Sequence, residues 1–214
     1  MSRLCFKISM SLDGFVADPR QSVDEPLGVG GERLHEWIFP LAYWRAMHGK
    51  EGGVTDESNR VVEEEFANLG ATIMGRNMFG PERGPWNLKE PWKGWWGDNP
   101  PFHHPVFVLT HHPREPLPMM GGTTLHFVTD GIEAALAQAR RAAGERDIQI
   151  AGGAAVAQQY LSAGRVEEMD IQLVPILLGS GTRLFEGVGD DLHGLELVRT
   201  VAAPKVTHLK FSRR

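Results

Sequence analysis

Three short apolar segments, at residues 71–74, 106–110 and 148–151, each run into a polar or glycine-marked turn, at intervals of about 35 to 40 residues. Around them apolar residues fall at helical spacing: Val62, Phe66 and Leu69 before the first, Ile132, Leu136, Ala139 and Ala143 before the third, and a stretch over 154–163 after it. Short strands alternating with helices describe an α/β domain rather than a helical bundle, since each amphipathic helix must bury its stripe against a sheet. The alternation also directs attention to the strand ends, because in open α/β sheets ligands gather outside the carboxyl ends of the strands.

The remaining chain fits around this frame. Residues 4–10 read as an opening strand, ended by Ser11-Leu12-Asp13-Gly14. Residues 19–33 are rich in breakers and read as loop, and Pro40 limits 34–47 to a short or broken helix. Asp56 and Ser58 are candidate caps for the next helix, Gly70 is its candidate left-handed stop, and Glu63-Glu64-Glu65 reads as its solvated face. Residues 123–128 form a further candidate strand, and Gly144 and Gly164 are candidate stops for the two later helices. Residues 81–105 hold six prolines and four tryptophans and cannot form a regular element; loops this long are usually functional or mobile. Residues 169–178 are a long apolar run in which Pro175 suggests an edge or a bulge, and 195–201 and 206–211 read as antiparallel strands.

Composition removes several function classes. At 214 residues, length predicts one domain over 1–214, large enough to need no disulfide or metal staple, in keeping with the lone Cys5. Lys and Arg number 22 against 27 acids, a net charge of −5, which argues against a nucleic-acid coat or an anionic-membrane binder. No run of 18 or more apolar residues and no secretory signal is evident, so a cytoplasmic protein without membrane or nucleic-acid partners is expected. Glycine is in excess, 25 of 214 residues or about 12% against roughly 7% on average.

Part of that excess sits where chemistry is expected. At 148–153 a strand runs into Gly152-Gly153 and then a helix, presenting bare N–H groups at a helix N-terminus, which suits a phosphate but also describes a plain structural turn. Ile73-Met74-Gly75-Arg76-Asn77 repeats the arrangement with an arginine at the turn, either a phosphate fork or a surface cation. The third strand ends at Thr110-His111-His112-Pro113. A zinc site through His103, His104, His111 and His112 is poorly served, because adjacent strand residues point to opposite faces. Taken together, the turns suggest one elongated phosphorylated ligand, a dinucleotide, although no G-x-G-x-x-G sits between a strand and a helix. Neither a Walker lysine motif, nor G-x-S-x-G, nor H-E-x-x-H occurs.

Ser11-Leu-Asp-Gly-Phe-Val-Ala17, Met74-Gly75-Arg76, Gly152-Gly153 and Pro175-Ile-Leu-Leu-Gly-Ser-Gly-Thr-Arg-Leu-Phe185 follow one another in an order that resembles the dihydrofolate-reductase-like superfamily. Within it, the chain is most similar to the C-terminal reductase domain of the bifunctional riboflavin-biosynthesis deaminase-reductase, over about residues 4–211. The resemblance implies a mixed, mostly parallel sheet flanked by helices with a C-terminal antiparallel hairpin. It also implies an NADPH-dependent reductase, of the 5-amino-6-(5-phosphoribosylamino)uracil reductase type, that acts on a small heterocycle.

Roles carry over by position. Gly75, Arg76 and Asn77 would meet the phosphate region of NADPH, with Arg76 near the 2′-phosphate, and Thr110 and His111 would flank the adenosine. Gly152, Gly153, Ala154 and Val156 would hold the pyrophosphate, and Ser9, Val16 and Ala17 would border the nicotinamide. Asp13 is the candidate proton donor, its alternative task being to cap the turn before Gly14. Phe15, Trp86, Trp95 and Trp96 are candidate substrate contacts; the tryptophans, with Trp92, form either a lid or a dimer contact. No resident metal is expected. A homodimer is, with 169–178 as its candidate contact strand. Two rival readings remain: a dihydrofolate reductase, for which Asp56 and Glu57 are the candidate matches to the pterin-facing acid, and a non-catalytic nucleotide-binding protein of the same fold.

Overall fold

The computed structural model describes residues 2–20, 22–87 and 89–213. In chain order its elements are β1 (Leu4–Ser11), β2 (Phe15–Ala17), α1 (Ala42–Met47), α2 (Glu57–Phe66), β3 (Leu69–Gly75), α3 (Arg76–Phe79), β4 (Pro105–Leu109), β5 (Leu117–Pro118), β6 (Thr124–Val128), α4 (Gly131–Ala143), β7 (Asp147–Gly152), α5 (Ala154–Ser162), β8 (Glu168–Val174), β9 (Thr182–Arg183), β10 (Leu195–Ala203) and β11 (Val206–Arg213). Nine strands form one sheet in the order β10-β11-β8-β1-β7-β3-β4-β6-β5. Its centre, from β8 to β6, is parallel, while the β10–β11 hairpin and β5 pair antiparallel at the two margins. Strands β2 and β9 make a separate antiparallel pair.

The central strands are largely buried on both faces because helices and loops cover both. In β3 every residue after Leu69 is buried, the pattern of a parallel strand inside a sheet. Strand β1 divides its side chains by alternation. Phe6, Ile8 and Met10 face the core built with Leu136, Ala139, Tyr160 and Leu161 of α4 and α5. Lys7 and Ser9 point to the other side, where Lys7 lies over the Phe66 ring of α2 and Ser9 accepts a hydrogen bond from the Trp37 indole. On α4, Ala135, Leu136, Ala139 and Ala143 form the buried stripe, and Gly144 and Gly164 follow α4 and α5 as expected. The Asp56 carboxylate accepts from the Asn59 N–H and caps α2, a contact of about 1 kcal/mol. No helix among the described residues is long and apolar enough to cross a membrane.

Three expectations are corrected. Gly70 is not a helix stop; it lies in β3, where a Cβ would meet the Arg146 Cβ at 2.7 Å and the Ala143 Cα at 2.9 Å. Glycine is required there for a close approach to the end of α4. Glu65 does not share the solvation of Glu63 and Glu64. It turns under α2, accepts from the Gln172 amide at 2.8 Å, and burial raises its carboxyl to about 8. The apolar run at 169–178 is not an edge, because β8 is hydrogen-bonded to β1 on one side and β11 on the other. Pro175 ends the strand instead, and no free strand edge is left there for a dimer contact.

Candidate active site

The carboxyl ends of β7, β3, β4 and β6 lie side by side and form the floor of a cleft of about 740 Å³, within the roughly 300–1,000 Å³ typical of small-molecule sites. At its centre the end of β3 packs closely against the first turn of α5: a Cβ on Gly75 would stand 2.9 Å from the Val156 Cγ2. Gly152 ends β7 with φ 123°, a region closed to ordinary side chains, and the Gly152–Gly153 peptide is cis. Gly153 differs from both. It precedes α5 with φ −78°, a conformation any residue adopts, yet a Cβ there would meet nothing within 4 Å. No side chain caps α5, so its first N–H groups face the cleft beside Ala154 and Ala155. Bare donors, the positive end of a nine-residue helix and open space in front of Gly153 together accommodate a phosphate-sized anion.

Toward β4 the cleft is cationic. Arg76, the first residue of α3, lays its guanidinium over the Trp86 ring at 3.2 Å from the centroid. It also donates to the Thr110 hydroxyl and the Gly84 carbonyl, each at 3.3 Å. Burial against the indole, with Arg83 and Arg114 nearby, eases its pKa down from the ordinary value, and Glu82 opposes that shift. Arg83, Asn77 and His111 line the same end, His111 on an exposed turn. Thr110 is held by the His112 N–H at 3.2 Å, so strand end and turn form one unit. The four histidines considered for zinc do not converge: His104 is buried against the Thr72 hydroxyl at 2.8 Å, and His103 pairs with the Gly121 carbonyl. No cluster of three or more metal-ligating side chains occurs among the described residues.

The opposite end, against β1, is apolar: Ile8, Val16, Ala17, Pro26 and Leu27 line it. Ser9 does not. Alternation along β1 turns its hydroxyl away from the cleft to Trp37, a consequence of strand pleating that one-residue counting along the sequence misplaces. Phe15 is buried away from the cleft wall, with the Arg183 guanidinium 4.3 Å from its ring centroid.

Asp13 has a task other than proton donation. Its carboxylate accepts from the Ser11 hydroxyl at 2.6 Å and from the Gly179 and Leu178 N–H groups at 2.7 and 3.2 Å. The Ser11 hydrogen bond first, then the two N–H donors, hold it down at about 2, so it has no proton to give near neutrality. It is not on the cleft wall. Asp13 ties the 11–14 turn to the loop after Pro175, which links the two halves of the sequence pattern. Asp56 and Glu57 are occupied at the start of α2, one as cap and the other paired with Arg60, and neither lines the cleft.

The 81–105 segment, Leu88 excepted, folds over β3, β4 and β6. Trp86, Trp92, Trp96 and Phe102 join Met74, Phe79, Val106, Val108 and Leu125 in a hydrophobic cluster of their own. Side chains clamp the segment: the Trp86 indole donates to the His112 carbonyl, Trp92 to the Phe79 carbonyl, and Arg114 to the Trp92 carbonyl. Trp95 and Trp96 reach the cleft wall, whereas Trp86 lies beneath Arg76.

Sequence reasoning missed Thr129, Gly131 and His35 on the wall. Thr129-Asp130-Gly131 leads from β6 into α4 and repeats the strand–turn–glycine–helix pattern of the other sites, so a usable signal was present. His35 sits in an irregular stretch and carries no such mark.

The sequence matches the family model described as RibD C-terminal domain over residues 3–209. No curated protein matches it. Among solved structures, the chain is similar to a Shewanella sp. PV-4 protein assigned to riboflavin biosynthesis, at 22% identity and a TM-score of 0.62, covering 100% of this chain and 99% of that one. It is also similar to a diaminohydroxyphosphoribosylaminopyrimidine deaminase/5-amino-6-(5-phosphoribosylamino)uracil reductase from Thermotoga maritima, at 14% identity and a TM-score of 0.56. The match covers 100% of this chain but only 57% of the Thermotoga protein. Dihydrofolate reductase from Enterococcus faecalis, complexed with NADP(H) and RAB-propyl, aligns at 15% identity and a TM-score of 0.51, covering 99% and 96%. At these identities the likenesses establish a dihydrofolate-reductase-like fold.

Proposed function

This chain belongs to the RibD C-terminal domain family, and from that membership we propose that it is an NADPH-dependent reductase. Its substrate on this reading is a small heterocycle of the 5-amino-6-(5-phosphoribosylamino)uracil type. The observation that carries the reading is the cleft itself, with phosphate-accepting N–H groups at α5 in its middle, a fixed cation at one end and an apolar chamber at the other. The Thermotoga relative names that reductase activity, and the Enterococcus relative is complexed with NADP(H).

The residues fit such a dinucleotide. The α5 N-terminus with Gly152, Gly153, Ala154 and Val156 would take the pyrophosphate, which can approach because no Cβ stands at Gly153. Arg76 would take the 2′-phosphate, its planar fork already held by Trp86 and Thr110, and Asn77, Thr110 and His111 would flank the adenosine. Ile8, Val16 and Ala17 would border the nicotinamide, and their apolar surface excludes water from the reacting face. When bound, a reduced nicotinamide supplies the hydride; this chain supplies position and a dry chamber.

No Asp or Glu lines the cleft among the described residues, which ranks a dihydrofolate-type reaction, with its acid facing the pterin, below the pyrimidine reading. Titration of the purified protein with NADPH, followed by nicotinamide fluorescence, tests cofactor binding; no binding at near-millimolar cofactor overturns the proposal. Binding without oxidation of NADPH in the presence of 5-amino-6-(5-phosphoribosylamino)uracil assigns the chain to the non-catalytic, nucleotide-binding alternative.

A further inference from the structure

A reduction that adds a hydride to carbon also delivers a proton to the neighbouring heteroatom, and Asp13 cannot supply it. Around the apolar end of the cleft one side chain can. His35 follows a single helical turn over residues 31–34 and lines the cleft together with Ile8, Val16, Ala17, Pro26 and Leu27. All five of those neighbours are apolar. The other titratable residues on the wall, Arg76, Arg83, His111 and His112, belong to the elements and turns at the β3–β4 end. The His35 Nδ1 is buried and has no hydrogen-bond partner among the described residues, so the protein leaves that nitrogen uncommitted while the Gly31 carbonyl engages the ring.

Resting on the reductase reading above, we infer that His35 is the catalytic proton donor of this site, facing the heteroatom of a C=N or C=O group in the apolar chamber. In that step the carbon accepts the hydride, the π electron pair passes to the heteroatom, and the heteroatom bonds the proton released by the His35 imidazolium. The substrate gains two electrons, the reduced nicotinamide loses them, and the neutral ring recovers its proton from water. A buried hydrogen-bonding group at this position also stabilises the charge developing on the heteroatom, where low dielectric strengthens the interaction.

The surroundings set the sign of the pH dependence. Burial lowers the His35 pKa from its ordinary 6.5, and the Gly31 carbonyl works against that shift. Charged groups on the adjoining elements are spoken for or exposed: Asp18, after β2, pairs with Arg20, and Glu32, Arg33 and Glu36 of the 31–36 turn are exposed. Lys7 on β1 points to the opposite face of the sheet. Activity that requires the imidazolium is therefore level at acid pH and falls about tenfold per pH unit above the His35 pKa, as for any single-proton donor.

The test uses the full chain with NADPH and 5-amino-6-(5-phosphoribosylamino)uracil. His35→Gln and His35→Asn are each expected to lose about 100-fold or more in kcat, the usual worth of a general acid, and to lose the alkaline decline. NADPH affinity and the melting temperature are expected to stay at wild-type values. A second readout needs no turnover: adding the pyrimidine alone is expected to shift the His35 ring resonances and their titration midpoint by NMR. Retention of kcat within about threefold with an unchanged pH profile, or His35 resonances unmoved at saturating pyrimidine, overturns the role of His35 while leaving the reductase reading intact. If wild type fails to oxidise NADPH with this substrate, the reductase reading falls and the assignment of His35 falls with it.

Discussion

The guanidinium of Arg76 rests 3.2 Å above the centre of the Trp86 ring, so the cation at the β4 end of the cleft is held face-on by an aromatic floor. Its hydrogen bonds to the Thr110 hydroxyl and the Gly84 carbonyl fix the remaining rotation. A cation held in this way loses little side-chain freedom on meeting a phosphate, and a planar fork presents two donors to it.

Cofactor choice follows from this pair. Arg76→Ala is expected to weaken NADPH roughly 10- to 100-fold and NADH by less than about threefold, because only NADPH carries the 2′-phosphate. Trp86→Leu keeps the charge but removes the floor; at about 0.5–2 kcal/mol for a cation–π contact, NADPH affinity is expected to fall about 2- to 30-fold. Fluorescence titration with both dinucleotides reads each effect, and equal losses for both would contradict the assignment of Arg76.

The two glycines at the centre of the cleft have opposite vulnerabilities. Gly75→Ala places a methyl 2.9 Å from the Val156 Cγ2, so it is expected to destabilise the fold by about 1–3 kcal/mol, the usual cost of overpacking. Gly153→Ala meets nothing within 4 Å at an unstrained φ, so stability is expected to be unchanged while NADPH binding drops about tenfold or more, as a methyl occupies the space a phosphate needs. Denaturant melts and NADPH titrations on both variants separate the effects.

Asp13 is expected to matter for stability and not for proton transfer. Its folded pKa of about 2 lies below the ordinary 3.8, so its contribution is present above 3.8 and disappears as pH falls through 2. Asp13→Asn is accordingly expected to melt below wild type at pH 7, with the gap closing in strong acid, and to keep the pH profile of kcat. A variant that loses one limb of that profile would restore Asp13 as the donor.

Glu65 reverses that sign. Desolvation raises it from 4.5 to about 8, and the nearby Asp170, raised to about 6, reinforces the effect. The folded state binds the extra proton, so its contribution is complete below 4.5 and is lost as pH rises through 8. Lys7, lowered by burial, acts in the other direction at more alkaline pH. The difference between wild type and Glu65→Gln isolates the carboxyl: the Gln variant is expected to lose less melting temperature between pH 6 and pH 9. An identical decline in both would show that Glu65 ionises freely.

The parts of this fold that depend on local pattern are readable in the sequence. Strands β3, β4 and β7, the two helices α4 and α5, and the C-terminal hairpin follow from periodicity and from glycine, and the turns at Gly75 and Gly152-Gly153 fall on the cleft. What escapes is decided by contacts distant in sequence. Gly70 owes its place to Ala143 and Arg146, and Glu65 to Gln172, none of which is near it in the chain. Ser9 and Ile8 differ by one residue, and only the pleat of β1 against its neighbours says which of them meets the cleft. His35 joins Ile8 and Val16 only through the path of an irregular loop.

The tryptophan-bearing segment holds its place through its aromatic cluster and through indole and guanidinium donors on carbonyls, and its described residues before β4 carry no strand ladder. A sheet permits insertion only at the cost of register, whereas chain strung between a few side-chain anchors can grow or shrink between them. The far boundary of the cleft is thus dimensioned separately from its floor: residues between the anchors can be exchanged to admit a larger or smaller guest while β3, β4 and β7 keep their alignment.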